Sequence, residues 1–177
     1  MKLITSFNPN CKMTRAILLQ AVVASLAVAS SHAAIILSTF DGGAPDDNWS
    51  SATNWNPDIV PNNTVTDQYI VTIPGGLGSP VLLGAVSPTV DSVTLGVGST
   101  LQIPNARDLN FRDTFTNNGS LNLNSTGSFT QLSALGLANE SRTLTGSGTV
   151  TLNHVNALVR GSSGVLLIHG ASHTIAG

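Results

Sequence analysis

Charge is scarce in this chain of 177 residues: Asp, Glu, Lys and Arg together make up 9% of it, against roughly a quarter of an ordinary globular domain. Lysine does not occur after Lys12, so Arg107, Arg112, Arg142 and Arg160 face nine acidic residues on their own. Without a basic patch to neutralise phosphates, nucleic acid is excluded as a partner. A phosphate-binding loop ending in Gly-Lys cannot be built either. Cysteine occurs once, as Cys11, so the fold must hold by packing and hydrogen bonds rather than disulfides. Aromatic residues are 5% of the chain, few for a core spanning two facing sheets about 10 Å apart. The hydrophobic fraction of 41% nevertheless exceeds what a disordered chain carries.

The first residues read as an address. Lys2, Lys12 and Arg15 form a positive leader, Ala16 to Ala29 is an apolar run, and Ser31-His32-Ala33 supplies small residues at a cleavage site. Residues 1–33 are therefore expected to be a signal peptide cleaved after Ala33, with Ala34 the alternative position and Met13 an alternative start. The run is too short and too rich in alanine to be a membrane span, which needs about 20 strongly apolar residues. The exported part keeps four arginines and nine acids, a charge near −5 with His neutral.

From residue 69 onward the chain is a succession of short alternating segments separated by Gly, Ser, Asn and Thr. YIVTI (69–73) opens the series, and one phrase then recurs: a glycine, a small polar residue, then apolar-polar-apolar. It appears as GSTLQI (98–103), GSLNL (119–123), GSFTQL (127–132), GTVTL (148–152) and, more loosely, GVLLI (164–168). Period-two alternation gives each segment one buried and one wet face. Gly98 to Gly119 and Gly127 to Gly148 are both separated by 21 residues, and a fixed period near 20 is the signature of a solenoid. The expected fold is all-β, a single-stranded, right-handed parallel β-helix, with a β-sandwich as the alternative. Stacked coils place like residues on like, so aliphatic columns fill the inside, amide and hydroxyl ladders line the turns, and stacked charges would repel. Residues 75–177 would supply about five such coils, about 25 Å of rod.

Residues 34–68 are expected to cap the first coil, IILSTF forming a strand and DGGAPDDNWSSATNWNPDIVPNN a loop. Trp49 and Trp55 would lie across the open end of the core; the competing reading makes them platforms for glycan rings. WSSATNWNPDIVPNN followed by YIVTI, together with GSGTVTLNHVNALVRGSSGVLLIHGASHTIAG (146–177), resembles autotransporter-like, PEP-CTERM-type exported surface proteins of bacteria. That resemblance implies a right-handed parallel β-helix at the cell surface and carries over no catalytic residue. The chain departs from the group in lacking a sorting signal, a final apolar segment or barrel strands up to Gly177. Because HTIA is a strand phrase with no cap after it, the natural protein is expected to continue, or to meet a partner at this end.

The candidate chemistry is sparse. Asp41, Asp46 and Asp47, with Asp58 nearby, are oxygen-rich loop residues of the kind that hold calcium, although no EF-hand or Gly-Gly-x-Gly-x-Asp repeat occurs. Asp108, Arg112 and Asp113 match in type the acid and arginine clusters of pectin-degrading β-helices, but 108 and 113 differ in strand parity. His154, His169 and His173 raise zinc; along an extended strand the last two lie about 13 Å apart unless Gly170 bends the chain. Solvated loop acids, a charge cluster at a turn and turn histidines are the plainer readings of the three sets. No G-x-S-x-G elbow occurs. Threonine ladders on a solenoid face can bind ice, and TLTGSGTVTL (143–152) suggests one, yet no regular T-x-T is read in successive coils.

These readings converge on an exported bacterial surface module, an adhesin-like stalk without catalytic activity. The alternative is a carbohydrate-binding or polysaccharide-degrading β-helix, a lyase or glycoside hydrolase. Expected partners are extracellular glycans or other surface proteins, with a membrane reached only through the cleaved leader or through an anchor beyond residue 177. No cofactor is expected apart from calcium at the loop acids.

Overall fold

The structure, a computed structural model, describes residues 33–177; the leader and Cys11 lie outside the described residues. Apart from one short 3-10 turn, the regular elements described are all strands. β1 (Ala34–Phe40), a 3-10 turn (Ala52–Asn54) and β2 (Trp55–Asn56) come first. The series then runs β3 (Asp67–Ile73), β4 (Val81–Leu82), β5 (Thr89–Val90), β6 (Ser92–Leu95), β7 (Thr100–Pro104), β8 (Asp108–Phe111), β9 (Thr114–Asn117) and β10 (Ser120–Asn124). It ends with β11 (Thr130–Ala134), β12 (Ser141–Thr145), β13 (Thr149–Leu152), β14 (Ala157–Gly161), β15 (Leu166–His169) and β16 (Thr174–Ala176).

Each strand from β3 on pairs in parallel with the strand three places on, which sorts the series into three sheets. Sheet A runs β15-β12-β9-β6-β3-β1-β2, sheet B runs β16-β13-β10-β7-β4, and sheet C runs β14-β11-β8-β5. The chain thus visits A, B and C in turn, completing four turns (β3–β5, β6–β8, β9–β11, β12–β14) and beginning a fifth with β15 and β16. This is a parallel β-solenoid, as the alternation predicts, and not a sandwich. Parallel pairing between coils is what allows strands of two to five residues to persist, since each contributes only a few ladder bonds but stacks on both sides.

The period is less regular than 21. Val93 pairs with Phe115, a step of 22, and Leu101 with Leu121, a step of 20, but Leu121 pairs with Val150, a step of 29. The later coils absorb extra residues at their corners: β8 reaches β9 through residues 112–113, whereas β11 reaches β12 through 135–140. Gly127 and Gly148 are consequently not equivalent. Gly127 precedes β11 in sheet C, while Gly148 precedes β13 in sheet B, where the Ser120–Thr149 pair sets it beside Gly119. Their 21-residue separation is a coincidence of one short and one long corner, and four turns plus two strands replace the expected five coils.

Inward residues form columns. Val81, Leu101, Leu121, Val150 and Ile175 stack through sheet B, and Val71, Val93, Phe115 and Leu144 through sheet A. Phe111 and Phe115, on facing sheets of neighbouring coils, meet edge to face at 5.9 Å. Apart from Ile175 at the last coil, these residues are buried. At the corners, amides bond across coils: Asn118 Oδ1 accepts from the Ser147 amide at 3.2 Å, Asn105 Oδ1 from Thr126 and Ser128, and Asn153 donates to Asn124.

Residues 34–66 do more than cover the first coil. β1 lies parallel to β3 at the end of sheet A, the Asn48–Leu82 bridge extends sheet B, and Asn63 with Asn62 bonds Thr89 at the edge of sheet C. The segment is itself an irregular coil, closed by the antiparallel β1–β2 pair.

Candidate functional site

The tryptophans are interior. Trp49 and Trp55 are both 0% exposed and meet at 4.7 Å, and Phe40 packs against Trp55 at 5.2 Å, each pair edge to face. Their ring nitrogens donate to backbone carbonyls, Trp49 Nε1 to Pro61 at 3.0 Å and Trp55 Nε1 to Trp49 at 2.8 Å. Neither ring presents a face on which a sugar could stack.

The loop acids around them have local work. Asp46 Oδ1 accepts from the Asn48 amide and from Asn54 Nδ2, and its Oδ2 accepts from Ser51 Oγ at 2.6 Å. Those donors, Ser51 foremost, hold its carboxyl down at about 2. Asp41 Oδ1 caps the Gly43 amide, and Asp47 takes a positive φ of 49° so that its carbonyl can accept from Leu82. Among the described residues no group of three or more His, Cys, Asp and Glu side chains comes together as a metal site, at Asp41, Asp46 and Asp47 or elsewhere.

Asp108 opens β8 on sheet C, while Arg112 and Asp113 form the corner leading to β9, where Asp113 accepts from Ser92 Oγ at 3.2 Å. Among the described residues the one ion pair joins Arg142 to Glu140, so the three do not assemble. The histidines divide differently. Gly170 turns the corner after β15 and brings His169 Nε2 to 3.0 Å from His173 Nδ1, while His154 bonds only its own loop. His173 is buried, and Asn117, also buried, donates from Nδ2 to Thr149 O and towards His173 Nε2 at 3.0 Å, its Oδ1 being taken by the Gly119 amide. Asn117 occupies a column position otherwise filled by Ile73 and Leu95, and sequence reading gave it no notice. The only signal was an asparagine at an inward parity.

The outer face of sheet A holds what sequence reading denied. Thr39 pairs with Thr72, Thr72 with Thr94, Thr94 with Thr116, and Thr116 with Thr145. Two residues earlier on each strand a second column runs Leu37, Ile70, Ser92, Thr114, Thr143, Ile168. Ser92-x-Thr94, Thr114-x-Thr116 and Thr143-x-Thr145 are thus in register on successive coils. The regularity was hidden by steps of 22 and then 29, and by taking 21 as the period. Sheet B is of another kind outside: Gln102 and Asn122 stand between Thr100, Ser120 and Thr149 and the Asn124 corner.

Together these features define a parallel β-solenoid that carries columns of hydroxyl and amide side chains on its outer faces. A family model described as a domain of unknown function, DUF8693, matches residues 39–160, and the chain belongs to that family. The match runs from β1 into β14, so the irregular first coil and the four turns are included in it. No curated protein and no solved structure matches the chain.

Proposed function

We propose that the protein is an exported bacterial surface module in which the solenoid is a non-catalytic scaffold presenting repeated hydroxyl and amide columns to its surroundings. The observation that supports this reading is the register of those columns over an aliphatic interior: Thr72, Thr94 and Thr116 repeat coil by coil outside sheet A, and Gln102 pairs with Asn122 outside sheet B. A rigid, weakly charged rod that repeats one surface suits adhesion or spacing. The leader from Lys2 to Ala33 and the resemblance of WSSATNWNPDIVPNN to surface-protein openings favour export.

The test is made in a Gram-negative host expressing the full chain. Export predicts a mature N-terminus at Ala34 or Ile35 and labelling of the protein by a membrane-impermeant reagent on intact cells. An intact leader on a cytoplasmic protein overturns the reading. Release of reducing or unsaturated ends from a polysaccharide, abolished by Asp113→Asn, would replace the scaffold with the enzyme alternative.

A further inference from the structure

The outer surface of sheet A combines three features. It spans six parallel strands, β1, β3, β6, β9, β12 and β15. Among the described residues its outward positions carry no charge and no aromatic ring: they are Thr and Ser in the middle coils, with Leu37, Ile70 and Ile168 continuing the second column at its ends. Tyr69, Phe115 and Phe40, the aromatic residues of these strands, all point inward and are buried. Charged residues border the face rather than occupy it: Asp67 begins β3, Asp91, Asp113 and Glu140 stand at the corners before β6, β9 and β12, and Arg142 shares the inward parity of Leu144 on β12.

The columns form a two-dimensional lattice. Neighbouring coils set Thr72, Thr94, Thr116 and Thr145 about 4.8 Å apart, and the flanking column of Ile70, Ser92, Thr114 and Thr143 lies two residues away, about 6.6 Å along the strand. Each threonine is β-branched and stiff at χ1, and neighbours in the column fill the space on both sides, leaving Thr72, Thr114, Thr116, Thr143 and Thr145 half-buried. Hydroxyl and methyl groups are therefore held at fixed repeats in two directions, with little freedom left to lose on binding.

A partner that gains from such a lattice must itself be periodic, uncharged and able to accept and donate hydrogen bonds between small apolar contacts. Crystalline polysaccharide and ice both qualify in outline. Sugar rings are held chiefly by aromatic faces, and this surface has none. Water ordered in a lattice is matched instead by alternating hydroxyl and methyl groups, and any strongly hydrated charge would disrupt that order. We propose that the outer face of sheet A binds ice, its paired columns at Thr72, Thr94, Thr116 and Thr145 and at Ser92, Thr114 and Thr143 ordering water into the crystal surface. The inference rests on the scaffold reading, of which it names the partner. Sheet B, whose Gln102 and Asn122 carry strongly solvated amides, is the built-in control.

The experiment uses the full purified chain in nanolitre osmometry and ice-recrystallisation assays, with circular dichroism and analytical ultracentrifugation on every variant. Expected are faceted ice crystals with a gap between melting and freezing points, lost in Thr116→Lys and kept in Asn122→Lys. Thr116→Val, which keeps both branches at Cβ and replaces the hydroxyl with a methyl group, should retain part of the gap if the face works by shape and methyl packing as well as by hydroxyls, and a full loss still places the site on sheet A. The proposal is overturned if the folded wild-type protein leaves ice unshaped. It is equally overturned if Thr116→Lys and Asn122→Lys behave alike, or if sheet A proves to be covered by a second copy, seen as a concentration-dependent dimer that Thr116→Lys dissociates. A negative result in ice does not touch the export reading, which is decided separately by surface labelling of cells.

Discussion

Leu121 sits at the middle of the sheet-B column, between Leu101 below and Val150 above, with no exposed surface. Leu121→Ala removes about three carbons, which at about 0.8 kcal/mol each is about 2.4 kcal/mol of lost transfer energy. A cavity remains as well. In a globular core the surroundings partly collapse into such a hole, but here the coils above and below are held by parallel hydrogen-bond ladders at about 4.8 Å and cannot close in. The cost should therefore fall in the upper part of the range for such truncations, about 4 kcal/mol. Ile175 belongs to the same column but lies on the last coil and is 40% exposed, so Ile175→Ala should cost about 1 kcal/mol. Urea denaturation followed by circular dichroism compares the two directly. Equal losses, or a Leu121→Ala cost below about 1 kcal/mol, would show that the column does not carry the core and would refute the stacking argument.

Trp55→Phe should cost about 1–3 kcal/mol in the same assay, because it leaves the buried Trp49 carbonyl without its donor; wild-type tryptophan emission should be blue-shifted and resist aqueous quenchers, and red-shifted emission would contradict the buried pair. Gly148→Ala should destabilise by about 2 kcal/mol, since a Cβ there falls on the Gly119 carbonyl and lies 2.8 Å from Asn117 Oδ1; a neutral result would mean that the two corners do not stack. Burial, and secondarily the charge of His169, hold His173 below the ordinary 6.5. Protonation would also set an N–H on Nε2 against the Asn117 amide. The unfolded chain then binds the extra proton first, so the stabilisation is complete above pH 6.5 and is lost as pH falls through the lowered folded value. Melting temperatures measured from pH 7.5 to 5 should fall in the wild type and flatten in His173→Leu, and parallel curves would reject the linkage.

Much of the architecture was legible in local chemistry. Alternation in YIVTI, GSTLQI and GSLNL made strands with one apolar face, and scarcity of charge and aromatics selected a narrow stacked tube over a sandwich. The position of the tryptophans beside Pro, Asp and Asn marked the segment that closes the first coil, although not that it forms a coil itself, because its bridge to Leu82 and its bonds to Thr89 join residues far apart in the chain.

The sequence alone settled period-two patterning and aliphatic filling, since each depends on residue type and nearest neighbours. Tertiary structure decided which residues stand side by side. Corner lengths within the solenoid vary from one residue at 91 to seven at 74–80, so Gly127 and Gly148 share a spacing without sharing a place, His169 and His173 meet across a bend, and Thr72, Thr94, Thr116 and Thr145 align despite unequal steps. Stacking registers strands by their ladders of hydrogen bonds, and the corners between them can take up any number of residues that still returns the chain to the next rung.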